Sequence, residues 1–362
     1  MEIVIRSMEK EEAEEVKRIG KRAFSLVEGM FVSKPKHALV AVVDGKLAGA
    51  IIYKITKVQG RRTGYFEYAF VDPDYHGKGI GRKLYQATTD YLWEQGCDSQ
   101  AALVKDDNVG SWSLFLKNGF ARVTLWEIVR QLGLLGFLSQ FFGNLLWLAV
   151  GMDFYLAVRN EPLQNKSGTG RQIGGYLFAN LLLILIALYR IEDPVIFLGT
   201  YVGMLAGTIA IGRIAAGAPK KEKECIGRIA AAAAKRKWQF RLNNGGAGII
   251  AVVNFFGGIF PMSGNWYPHK YENTDEFRRD MGMVALAEWA FIAALTGVSI
   301  IFSASHMIFH YASWIGVILL VYRILAIYPF EAYGGSRVFS WNRWIYGVMS
   351  VISVLLIIFI QF

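Results

Sequence analysis

The sequence predicts an α/β domain built on a mixed central sheet with flanking helices, followed by a multi-span α-helical membrane domain. Three observations carry this. Residues 1–130 are charged and alternate β-rich runs with helical periodicity, the pattern of strands and helices packed in layers. Residues 173–362 carry long apolar runs. Between those runs, Lys220, Lys221, Lys223, Arg228, Lys235, Arg236, Lys237 and Arg241 crowd one stretch. Basic charge beside apolar segments fits the cytoplasmic flank of a membrane better than a nucleic-acid surface, despite the net charge of +10.

Taken in order, residues 2–6 alternate as a strand does. Ala13, Val16, Ile19 and Ala23 recur at helical spacing over 9–23. The run 38–55 is two β-rich segments around Asp44-Gly45, a hairpin signal. Residues 64–73 read as a strand stopped by Pro73, 79–95 as a helix, 98–104 as a strand, 108–118 as a helix and 120–130 as a strand. The uncharged stretch 132–151 is about as long as a membrane span, but four glycines, Gln140 and Asn144 weaken a crossing. It is expected to be an apolar insertion lying on the membrane surface, with a true span as the alternative. Residues 152–159 are strand-like, which closes a first domain over 1–160, and 161–172 form a linker.

Beyond the linker, apolar stretches lie near 173–189, 195–217, 247–262, 281–303, 307–328 and 344–362, giving five or six spans. The 247–262 run is short and glycine-rich, so a re-entrant segment is the alternative there. Six crossings place the linker and the basic 218–244 loop inside with the first domain, and 265–280 outside. A re-entrant 247–262 reverses the later part. The acidic, amphipathic N-terminus lacks a signal-peptide pattern. Cys97 and Cys225 stand far apart and imply no disulfide framework. An integral cell-membrane protein with its first domain in the cytoplasm is therefore expected.

Chemistry concentrates at "YHGKGIGRKL", residues 75–84. Glycines at 77, 79 and 81 let backbone N–H groups point into a shallow concavity, and a helix starting near Gly79 adds its positive end. Lys78, Arg82 and Lys83 add charge. A pyrophosphate fits such a loop. The order of Val71 and Pro73, this loop, a helix, a strand, Asn108 and "LKNGF" resembles the GNAT superfamily of acetyl-CoA-dependent N-acyltransferases over roughly 1–160. The resemblance implies acetyl-CoA as co-substrate, with its pyrophosphate on His76, Gly77, Lys78, Gly79, Ile80, Gly81 and Arg82. Its pantetheine arm would pair with backbone near Phe70 and Val71, and Asn108 would face it while also capping a helix. His76 stands where the family pattern begins with Gln or Arg.

The resemblance also places Phe115 where many GNAT enzymes carry a tyrosine that protonates the leaving thiolate. Phenylalanine has no proton to give, so water must supply it if acyl transfer occurs. Glu67, on the strand leading into the loop, is the candidate general base, directly or through a water; Tyr65 and Tyr68 are weaker candidates. The acceptor is expected to be an amine at the membrane: an aminolipid, a membrane peptide or a protein N-terminus. The alternative is a catalytically inactive acetyl-CoA-binding sensor that captures membrane partners.

The second half resembles the site-2 protease family of intramembrane zinc proteases over about 190–350, through "KWQFRLNNGG" and "PFEAYGGSRVFSWNRWIY". Glu224, Cys225 and Arg228 stand where that family's His, Glu and His belong, and Glu331 stands at its aspartate. The resemblance therefore implies a protease shell without zinc, and no metal is expected. His306 and His310, at i and i+4, are a rival metal pair whose plainer reading is two polar residues at a membrane interface. Glu288 and Arg323 both fall inside apolar spans, where an unpaired charge is costly, and are expected to pair.

Overall fold

The computed structural model describes residues 2–24, 26–106, 108–163, 168–217, 236–269, 272, 274–327 and 330–360. Glu224, Cys225, Arg228 and most of the basic cluster lie outside the described residues. The chain divides into two compact units, Met1–Lys166 and Ser167–Phe362.

The first unit is a seven-stranded sheet in the order β1-β2-β3-β4-β5-β7-β6, with β1 Ile3–Ser7, β2 Ala38–Val43, β3 Lys46–Val58, β4 Arg61–Val71, β5 Ser99–Lys105, β6 Ala121–Val123 and β7 Met152–Val158. Only β4 and β5 run parallel; every other neighbouring pair is antiparallel. Asp44-Gly45 turns β2 into β3 with both residues at positive φ, as a tight hairpin requires. Helix α3 (Ile80–Glu94) and helix α4 (Val109–Lys117) cover one face, where Ile80, Leu84, Leu92, Trp112 and Phe115 pack on Ile51, Phe66, Ala102 and Tyr155. Helix α1 (Ala13–Ala23) sets Val16 and Ile19 on Val40, Ile52 and Phe70 of the other face.

That second face is completed by helix α5, Leu125–Gly143, whose Ile128 packs on Tyr65, Ala101, Phe154 and Leu156. Here the structure corrects the sequence reading. The strand expected over 120–130 stops after three residues, because Thr124 and Glu127 form a capping box that starts a helix. The 132–151 stretch does not leave the domain. Leu132, Phe137, Phe141 and Leu146 pack against the sheet, and β6 and β7 on either side of it are paired neighbours. A helix held on the sheet in this way is not a membrane span.

Among the described residues of the second unit, four helical stretches are long and apolar enough to cross a membrane: Thr169–Arg190, Pro194–Gly217, Asp275–Ile301 and Met307–Ile324. Their α-helical parts are α6 (Thr169–Ile184), α7 (Pro194–Gly217), α9 (Asp275–Ile301) and α10 (Met307–Ile324). Within 247–262 the helix, α8, covers only Ala247–Phe255, about 14 Å at the usual rise and well short of ~30 Å of hydrocarbon. A short antiparallel pair, β8 (Trp238–Leu242) with β9 (Gly264–Pro268), separates these elements. The core centres on Phe197, Tyr201, Trp266, Ile292, Ile315 and Leu320. Inside it, Arg323 Nη1 donates to Glu288 Oε2 at 3.1 Å, the pairing that two charges in apolar helices demand. Gly212 of α7 lies against the Glu288 carboxylate and the Trp266 ring, where any side chain would collide.

Candidate functional site

The site is set by a break in strand pairing. Strands β4 and β5 pair only from Thr63↔Ser99 to Phe66↔Ala102, although β4 runs on to Val71 and β5 to Lys105. Opposite β3, Tyr53 faces Phe66 and Ile52 faces Tyr68, so Glu67 is the extra residue of a bulge. A bulge bends its strand and raises the local twist. From Glu67 onward β4 therefore parts from β5 and leaves a wedge in which the two strands no longer pair.

Alternation decides which groups face the wedge. Asp72 N–H donates to Ala48 O of β3, so Phe70, two residues earlier, also points its amide towards β3. Ala69 and Val71 then point theirs towards the wedge. The register thus turns the Phe70 backbone away from the wedge and adds Ala69, which the sequence alone did not single out. The Phe70 side chain sits in the core under α1. The His76 ring reaches Val71 O at 3.0 Å and bridges the end of the strand to the glycine loop.

Gly77 and Gly79 both adopt positive φ, 78° and 75°, and Gly79 is the residue from which α3 starts. A Cβ at either would meet nothing within 4 Å. Glycine is needed there for backbone conformation, and the space above the loop stays open. The N–H groups of Ile80, Gly81 and Arg82 have no acceptor within the helix and lie at its positive end. The Ile80 side chain is buried and anchors the turn, while Arg82 and Lys83 are exposed. Lys78 is held over the Tyr75 ring, 4.7 Å from its centre. Arg22 of α1 bridges Asp72 and Asp74 at 3.5 and 3.1 Å, which ties the loop to the opposite face of the sheet. This concavity of amides and cations can hold a pyrophosphate.

Asn108 caps α4 by accepting from Ser111 N–H at 3.1 Å and is exposed just past the C-terminal end of β5. Phe115 is buried edge-on against Phe66, Tyr85 and Phe120. Burial pushes the Tyr85 phenol up to about 12, although the Ser111 hydroxyl acts against it, so Tyr85 keeps its proton at neutral pH.

Glu67 is exposed and pairs with Lys54 at 3.2 Å. Lys54 also donates to Gly143 O at 3.1 Å and lies 5.1 Å from the centre of the Tyr65 ring. One ammonium thus links the bulge to the end of α5. Tyr65 is buried and its phenol is pushed well up, by desolvation first and the Glu67 charge second, which leaves it unsuited to act as a base. The Tyr68 hydroxyl donates to Phe31 O at 3.0 Å. Lys54 and Phe31 gave no signal in the sequence, because their roles depend on contacts across the sheet.

Elsewhere, the His306 ring accepts from Ile308 N–H and caps α10, while the His310 ring lies tilted against Trp314. Among the described residues no group of three or more His, Cys, Asp and Glu side chains could hold a metal ion.

Comparison with known proteins agrees with this geometry. Residues 4–120 match the sequence model of the acetyltransferase (GNAT) family. The N-terminal unit has the GNAT fold. The match takes in less than half of the chain and says nothing of the second unit. N-alpha-acetyltransferase 30 of Schizosaccharomyces pombe (strain 972 / ATCC 24843) is 29% identical over 89 residues, which is 24% of this chain and 59% of that protein. Three solved structures are also similar. The NatC complex bound to Gag peptide and CoA is 19% identical, covers 45% of this chain and all of its own, and has a TM-score of 0.32. The ribosomal-protein-S18-alanine N-acetyltransferase of Escherichia coli is 18% identical, with coverages of 46% and 99% and a TM-score of 0.32. The PaiA N-acetyltransferase of Thermoplasma acidophilum in complex with coenzyme A is 17% identical, with coverages of 44% and 99% and a TM-score of 0.33.

Proposed function

We propose that this protein is a membrane-anchored, acetyl-CoA-dependent N-acyltransferase whose acceptor is an amine at the cytoplasmic membrane face. The observation that carries the reading is the wedge between β4 and β5 running into the Gly77–Gly79 cradle. Its open edge offers alternating amides to an extended amide-bearing arm, and the cradle offers N–H groups and cations to a pyrophosphate. Coenzyme A has both parts in that order. The bulge residue Glu67 takes a proton from the incoming ammonium, directly or through a water. The amine then attacks the thioester carbonyl, the carbon–sulfur bond breaks, and the nitrogen releases its second proton to water as the amide forms. With phenylalanine at 115, the departing thiolate takes its proton from water.

The four apolar helices of the second unit cross the membrane in this reading, and the basic 218–244 stretch keeps its flank in the cytoplasm. That unit is a protease-like shell without zinc, with Glu331 at the family's aspartate position. One observation favours a second reading, an acetyl-CoA-binding sensor without catalysis: Phe115 fills the place of a proton donor and is locked in an aromatic cluster.

Calorimetry of the full chain in detergent tests the shared step, and acetyl-CoA is expected to bind. No binding overturns both readings. Radiolabelled acetyl transfer in native membranes then separates them: a labelled amine product supports the enzyme, and saturable binding with no labelled product leaves the sensor.

A further inference from the structure

The α5 helix carries a surface that acyl transfer does not account for. Its glycine at 133 has φ 72° and ψ 169°, a conformation essentially reserved for glycine, and breaks the helix in two. In the second half, Phe137, Gln140 and Phe141 face the sheet side. Leu134, Leu138 and Phe142 recur every four residues on the other side and are 62%, 36% and 59% exposed. Leu135 and Leu145 widen this stripe, at 51% and 57%. Between Arg130 and Asp153 no residue carries a charge.

The surroundings indicate what covers the stripe. At its start Arg61 donates to Gln131 O at 3.0 Å, and Arg130 is exposed. Both line a cleft with Arg159, where three arginines face Asp98 and Glu161. Trp126, an aromatic suited to a membrane interface, is 74% exposed. An uncharged stripe bordered by arginines and an exposed tryptophan matches an anionic lipid surface in charge and polarity. A second copy of the same stripe would bring the same arginines together. Ten residues, 159–168, join β7 to the first of the apolar helices, so with those helices in a membrane the bilayer is within tethered reach.

We propose that the second half of α5 is an interfacial helix, with Leu134, Leu138 and Phe142 in the acyl region of an anionic membrane and Arg61 and Arg130 at its headgroups. Through Lys54, which contacts both Gly143 O and Glu67, the end of this helix is fixed beside the candidate base. The amine acceptor therefore reaches Glu67 from the lipid surface. This last step rests on the acyltransferase reading; the lipid contact rests only on the membrane anchoring.

The full chain is reconstituted in phosphatidylcholine vesicles with or without phosphatidylglycerol. A nitrobenzoxadiazole label is placed at Leu138→Cys in a Cys225→Ser background, since Cys97 is buried. Nitroxide on the lipid acyl chains should quench the label several-fold more than aqueous iodide does. Glu94→Cys, at the end of α3 on the other face, should show the reverse. Phosphatidylglycerol should deepen the Leu138 quenching, and Arg61→Glu with Arg130→Glu should remove that gain. A Leu138 label open to iodide overturns the proposal. So does one shielded from both quenchers, which would mean that protein covers the stripe. Leu134→Cys repeats the measurement at a second position. Acetyl-CoA binding, measured on the same vesicles, reports separately: its loss with lipid quenching intact would sink the acyltransferase reading and leave the helix where it is placed.

Discussion

At Glu67 one residue does two jobs that the sequence shows only as a carboxylate on a strand. As the inserted residue of the bulge it turns β4 away from β5, and its side chain is exposed. The ion pair with Lys54 holds it there. If Glu67 is the base, Glu67→Gln should lower kcat by about 10²–10⁴-fold, the usual contribution of a positioned general base. Acetyl-CoA affinity, read by calorimetry, should change little, because the cradle is built from other residues. A fall in affinity that matches the fall in kcat would mean that Glu67 shapes the wedge and moves no proton.

In the acyltransferase reading, the element that decides cofactor binding is the turn from β4 into α3. Here the sequence was informative, because a phosphate cradle needs glycine at particular backbone positions and glycine is visible in any chain. Gly77 and Gly79 do sit at positive φ. Gly79→Val should therefore cost about 1–3 kcal/mol, since a β-branched residue resists that conformation. Nothing crowds the position, so the loss comes from the backbone. Thermal melts should show the destabilisation, and calorimetry a weaker acetyl-CoA affinity. Unchanged affinity would place the phosphate elsewhere. The α5 helix shows the opposite case. Its apolar run has the composition of a membrane segment, and only its packing on Tyr65, Phe154 and Leu156 shows that one side belongs to a soluble core.

At the scale of the whole molecule, the second unit depends on charges held in an apolar interior. Arg323 and Glu288 meet at 3.1 Å between α9 and α10, and Gly212 of α7 makes room for the carboxylate. Breaking such a pair by removing one partner typically costs about 3–5 kcal/mol, whereas removing both charges costs far less. Arg323→Met should therefore lower the melting temperature in detergent markedly, and adding Glu288→Gln should restore most of it. Fully additive losses would show that the two charges are stabilised separately.

The sequence by itself determined the two-part organisation, the glycine loop and the need for an ion pair between apolar helices. Each of these follows from local rules: strand and helix periodicity, the unique conformational range of glycine, and the cost of an unpaired charge in hydrocarbon. Tertiary structure decided the remainder. Which backbone amides line the wedge depends on a single inserted residue, because one step along a strand reverses the direction of every group after it. That residues 132–151 lay one side on the sheet depends on contacts with strands distant in the chain, which apolar composition does not reveal.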